Sequence, residues 1–141
     1  MHTALDIAKY FLSKSDAEAG DLISNLKLQK LLYYSQGLHL ALYGKPLFNE
    51  DIEAWTHGPV VPVIYRHFKG YGDGGIPSPA TLPKFDKKTT GFLDEIYKVF
   101  GQFSAWKLRN LTHDEPPWKE TRQSNKITHK ALSDYFKTQL E

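Results

Sequence analysis

Six histidines beside sixteen acidic residues raise one chemical possibility first, a metal centre or a His-based acid–base site. The spacing such a site needs is two ligands on one helical face, as in His-Glu-x-x-His, and no histidine pair has it. His113-Asp114-Glu115 gathers three polar groups, but neighbouring residues on a chain rarely converge on one ion, so His113 needs a distant partner such as His57. A hydrolase or metal site built on His57, His113 and Asp114 is the enzymatic alternative; structural histidines with satisfied ring nitrogens are the commoner outcome. The chain has no cysteine, which removes disulfides, thiolate catalysis and cysteine-based zinc binding. Gly70-Tyr71-Gly72-Asp73-Gly74-Gly75 follows a helix-like segment and runs into prolines, the reverse of a phosphate-cradling strand-to-helix turn. Ser35 and Ser104 stand in no nucleophile-elbow context. The expectation is a protein without catalytic residues, cofactor or metal.

Binding chemistry is better represented. Lys84, Lys87 and Lys88 suit a solvated loop face, whereas Lys119, Arg122, Lys126 and Lys130 could meet an acidic protein surface or a nucleic acid. A net charge of +2 and the absence of a readable helix-turn-helix give sequence-specific DNA recognition little support. Two stretches, Trp55-Thr56-His57-Gly58-Pro59-Val60-Val61-Pro62 and Leu111-Thr112-His113-Asp114-Glu115-Pro116-Pro117-Trp118, each set a Trp and a His beside rigid proline backbone. Such rings lose little side-chain entropy on binding and suit anchors for a protein partner. They suit plugs for the core equally well.

The elements that would position these residues follow from period and punctuation. The whole chain reads as one mainly α domain, residues 1–141, a compact set of five to six helices with one short β-hairpin. A first helix is predicted from Ala4 to Ser13 with Thr3 as N-cap, then a polar loop to Asp21. A second is capped at Asn25, with Leu28, Leu31, Leu32, Ser35, Leu38, His39 and Leu42 on its apolar stripe. Lys27, Lys30, Tyr33, Tyr34 and Gln36 fall on its other faces, and Gly37 implies close packing. Gly44 and Pro46 stop this helix. Leu47-Phe48 and Ile52 to Trp55 would pair around Asn49-Glu50-Asp51, with Gly58-Pro59 breaking the hairpin. Further helices are expected from Pro62, bearing Val61, Ile64, Tyr65 and Phe68, and from Thr90. Ser104 opens another that runs through Leu111, and Thr128 opens the last, with Leu132, Phe136 and Leu140 inward. Residues 73–83 and 112–125 read as irregular. The apolar runs are too short for a membrane span, and no signal peptide is readable after Met1, so cytoplasm is the expected compartment.

Three of these stretches also resemble a known family. Asn25-Leu26-Lys27-Leu28-Gln29-Lys30-Leu31-Leu32-Tyr33-Tyr34-Ser35-Gln36-Gly37 is similar to the signature helix of the Panacea (SocA-like) antitoxin domain. Gly44-Lys45-Pro46-Leu47-Phe48, with Ile52-Glu53-Ala54-Trp55 and Gly58-Pro59-Val60, resembles its central motif. Leu111-Thr112-His113 with Pro117-Trp118 resembles its C-terminal motif. The match runs in order over nearly the whole chain. It implies an antitoxin of a bacterial or phage toxin–antitoxin pair that neutralises a cognate toxin, encoded by a neighbouring gene, through direct contact. It also implies, as an alternative, an adaptor that hands the toxin to a ClpXP-type protease. The face expected to meet the toxin comprises Tyr33, Tyr34, Trp55, His57, Tyr65, His113 and Trp118.

Overall fold

In a computed structural model, which describes residues 1–15 and 22–140, the second predicted helix is the axis of the molecule. Helix α1 spans Ala4–Ser13 and is capped by Thr3, whose hydroxyl accepts from the Asp6 amide at 3.1 Å. The loop expected after it lies mostly outside the described residues. Helix α2 runs Asn25–Tyr43. Its cap is Ser24, not Asn25: the Ser24 hydroxyl takes the Lys27 amide at 3.2 Å, and Asn25, one residue inside, is buried. Gly44 ends α2 in the left-handed conformation at φ 72°.

The hairpin forms one step later than the sequence suggests. Strands β2 (Glu53–Trp55) and β3 (Gly58–Val60) pair antiparallel, with Trp55 opposite Gly58, around the turn Thr56-His57. Gly58 is therefore the first residue of a strand and does not break the pairing. It sits at φ 115°, and a Cβ there would come within 2.7 Å of Lys30 Cε and 2.9 Å of Thr112 Oγ1, so only glycine fits. Phe48 bridges His2 and stays outside this ladder. A second antiparallel pair joins β1 (Ile23–Ser24) to β4 (Gly75–Ile76), which gives part of the expected 73–83 loop a partner.

Helix α3 is Pro62–Phe68, followed by a 3-10 turn at Lys69–Tyr71. Helix α4, Lys87–Phe100, begins ahead of the predicted Thr90 because the Asp86 side chain caps it through the Thr89 amide at 2.7 Å. Helix α5 spans Ala105–His113 under the expected Ser104 cap and continues past Leu111. One helical turn, α6 at Pro116–Lys119, stands where irregular chain was expected; proline is well placed in a first turn. Helix α7, His129–Lys137, is capped by Thr128 at 3.0 Å and buries Leu132 and Phe136, while Leu140 lies beyond its end, exposed.

The largest departure from the sequence reading concerns α2. It packs against α1, α3, α4, α5 and α7 and is buried on every side from Leu28 to Gly37. Lys30, Tyr33, Tyr34 and Gln36, expected on outer faces, are all interior, whereas Leu42, expected inward, is exposed. Gly37 provides the close approach anticipated for it: a Cβ there would lie 2.1 Å from Phe136 Cε2. Gly37→Ala must displace the Phe136 ring from this packed site. Urea unfolding should show a loss of about 2 kcal/mol.

Candidate functional site

The sequence motifs meet one another through α2. Four side chains of that helix each hold a different segment. Asn25 donates to the Tyr65 carbonyl at 3.1 Å, and Gln29 accepts from the Val61 amide at 2.8 Å. Lys30 donates to the Pro59 carbonyl at 3.2 Å. Gln36 accepts from the Leu47 amide at 2.8 Å and donates to the Phe48 carbonyl at 2.7 Å. A buried amide side chain that satisfies both polarities of a passing backbone is in effect a strand partner. These bonds seat the hairpin and α3 against the axis.

The second motif pair closes from the other side. Trp118 Nε1 donates to the Trp55 carbonyl at 2.7 Å, and the Trp118 ring lies flat on His113, centroids 4.0 Å apart at 4°. His113 is half-buried; burial, then the charges of Arg109, Lys30 and His57, hold its pKa below the ordinary histidine value. Its Nε2 is buried with no hydrogen-bond partner among the described residues. His57 and His113 thus do approach each other, but with Arg109 and Lys30 around them. Cationic neighbours repel a metal ion from this place, and no group of three metal-ligating side chains occurs among the described residues. His113 and Trp118 act as supports beneath the hairpin.

Tyr33 and Tyr34 leave the expected contact face altogether. Their hydroxyls donate to the two carboxylate oxygens of Glu115 at 2.9 and 2.8 Å, and Tyr135 is a third partner. Tyr34 stacks on Phe100 at 4.0 Å and Tyr33 meets the Phe136 ring edge-on. The three tyrosines surround a carboxyl that burial pushes up to about 7, the tyrosine bonds only partly opposing that rise. Tyr33 and Tyr34 stand on the same helical face as Lys30, three and four residues back, and this face turns inward.

What remains of the expected face forms a groove of about 850 Å³ between the hairpin, α3 and the start of α5. Trp55 and Tyr65 line it edge-to-face, centroids 5.1 Å apart at 67°. The Trp55 indole is held by the Glu53 carboxylate at 3.0 Å. Across from them stands Trp106, 59% exposed, with the Arg109 guanidinium 4.5 Å from its ring centre. Arg109 Nε in turn donates to His57 Nδ1 at 3.4 Å. Trp106 was missed in the sequence. Its signal was an off-stripe position: two residues before Leu108, it faces away from the side that α5 buries. Of the basic cluster near the C-terminus, Lys126 pairs with Asp51 and Lys130 with Asp134, while Lys119 and Arg122 are exposed.

Comparison with known proteins agrees with the motif reading. Residues 28–119 match the family described as "Antitoxin SocA-like, Panacea domain". The chain is 36% identical over 126 residues to the protein named Antitoxin SocA from Caulobacter vibrioides, an alignment covering 79% of this chain and 66% of that protein. This chain therefore spans somewhat under two thirds of that relative's length. No solved structure matches.

Proposed function

This chain belongs to the Panacea (SocA-like) antitoxin domain family, and on that premise we propose that it is an antitoxin which neutralises a cognate toxin protein by binding it directly in the cytoplasm. The observation that carries the proposal is the groove of Trp55, Tyr65 and Trp106: three rings gathered on one face, two of them anchored to charged neighbours and set on hydrogen-bonded backbone. Pre-fixed aromatic rings bind at small entropic cost, and interface energy concentrates on such residues. Trp55, His57, Tyr65 and Trp106 are the contact residues of this reading. His113 and Trp118 position them, and Tyr33 and Tyr34 belong to the core. No helix among the described residues is long and apolar enough to cross a membrane.

The test is co-expression with the product of the adjacent gene. Growth arrest by that product, rescue by this chain and a co-purifying complex are expected. Trp106→Asp and Tyr65→Asp, both at exposed positions, should each weaken the complex by at least about 2 kcal/mol, roughly thirtyfold, and abolish rescue at unchanged melting temperature. Full rescue by both variants would place the toxin elsewhere. Hand-over to a ClpXP-type protease predicts that the toxin level falls on rescue and recovers when that protease is deleted; masking predicts a steady toxin level.

A further inference from the structure

A second groove, of about 600 Å³, lies along α2 and α4 with α7 beside it, and it shares no lining residue with the aromatic groove. Its walls are two regular ridges. Tyr34, Leu38 and Leu42 recur every four residues on α2. On α4, Phe92, Ile96 and Phe100 form a matching row beside Gly91, Glu95 and Val99. Rows of residues four apart on neighbouring helices leave the furrow into which another helix's ridge packs. From Gly91 to Phe100 the furrow is about 13 Å long, enough for two to three turns of helix. Leu42 is 50% exposed and Val99 44%, so the ridges carry apolar surface that this chain leaves uncovered.

The charge of the furrow narrows the occupant. Its ionisable lining residues besides tyrosine are Glu95 and Glu115, and it is lined by no lysine, arginine or histidine. Lys88, whose ammonium lies 4.4 Å from the Tyr43 ring centre, lines the neighbouring cleft and not this one. We infer that this groove receives an amphipathic helix of another protein, apolar face inward, with a lysine or arginine on that face directed at Glu115. Three apolar anchors at i, i+3 or i+4, and i+7 would follow the ridges. The carboxyl they flank already faces Tyr33 and Tyr34 from α2, Tyr135 from α7 and the charge of Asp114 on its own segment, and among the described residues no lysine, arginine or histidine lines the groove beside it. An incoming cation would favour the ionised carboxylate, so binding should expel a proton and strengthen from pH 6 to pH 8.

The experiment selects binders to the whole chain from a displayed library of helical peptides randomised along one face. Enriched peptides should carry the apolar spacing and a basic residue on the same face. Leu42→Glu and Val99→Glu should each cut their affinity at least about tenfold, and Glu115→Gln should remove the rise between pH 6 and pH 8. Trp106→Asp should leave these peptides bound, which separates this groove from the proposed toxin face. The inference is overturned if nothing enriches, if enriched peptides lack a basic residue, or if they ignore Leu42→Glu and Val99→Glu. It is also overturned if the free chain is a dimer that Val99→Glu splits, because the groove's occupant is then a second copy.

Discussion

Lys30→Met is expected to make the chain more stable by about 3 kcal/mol at pH 7 and to give no gain at pH 10.5. Lys30 is fully buried, and its ammonium has the Pro59 carbonyl at 3.2 Å as its neutral acceptor. Burial above all, with the Arg109 charge second, lowers its pKa from 10.5 to about 7. The sign follows directly. Between pH 7 and 10.5 the unfolded lysine holds a proton that the folded one has lost, so stability rises with pH across that window and stays at its low level below it. At 1.36 kcal/mol per unit the penalty near pH 7 reaches about 5 kcal/mol. Methionine keeps the length of the stem without the charge, and loss of the Pro59 hydrogen bond takes back about 1–2 kcal/mol. Urea unfolding of both proteins at pH 7 and pH 10.5 decides it. An equal loss at both values would mean that Lys30 contributes through its hydrogen bond and packing, with no charge penalty.

Glu115 should give the opposite slope. Its carboxyl is raised from 4.5 to about 7, chiefly by burial, so the folded state retains a proton that the unfolded state has released. Stability is then lost as pH climbs from 4.5 to about 7 and stays lost above. Glu115→Gln keeps an acceptor for the tyrosine hydroxyls and removes the charge. The difference in unfolding free energy between the variant and the parent should grow by about 2–3 kcal/mol over that window. His39 and His113, both shifted below the usual histidine value by burial, slope the other way in both proteins and cancel in the difference. Taken together, Glu115 and Lys30 place their combined minimum in stability near neutral pH. A flat difference curve would show that Glu115 stays ionised in the folded protein at all pH values above its unfolded pKa.

Much of the fold was legible because it is written locally. Thr3, Ser104 and Thr128 were readable as caps, since an N-cap needs only a side-chain oxygen and the amide three residues on. Gly44 was readable as a stop, and Gly37 as a point of close approach, because each departs from what a helix otherwise prefers. The hairpin misregister has an equally concrete cause. Asn49-Glu50-Asp51 has turn composition, yet the chain reverses at Thr56-His57, where Gly58 can lie against Lys30 and Thr112. That constraint comes from α2 and α5 and leaves no mark in residues 47–60.

The sequence by itself therefore determined the helical class, most helix limits, the absence of cysteine chemistry and the family, all properties of neighbouring residues or of motif order. Only the tertiary structure decided which rings face outward. Tyr33 and Tyr34 look like surface residues on a helical wheel and become core because Glu115 and Phe136, about eighty and one hundred residues away, close over them. Trp106 belongs to none of the sequence motifs and is surface because Leu108 takes the buried side of its short helix. A helical period reveals that one face differs from another; how many faces are covered depends on how many elements pack around it, and that is settled by residues distant in the chain.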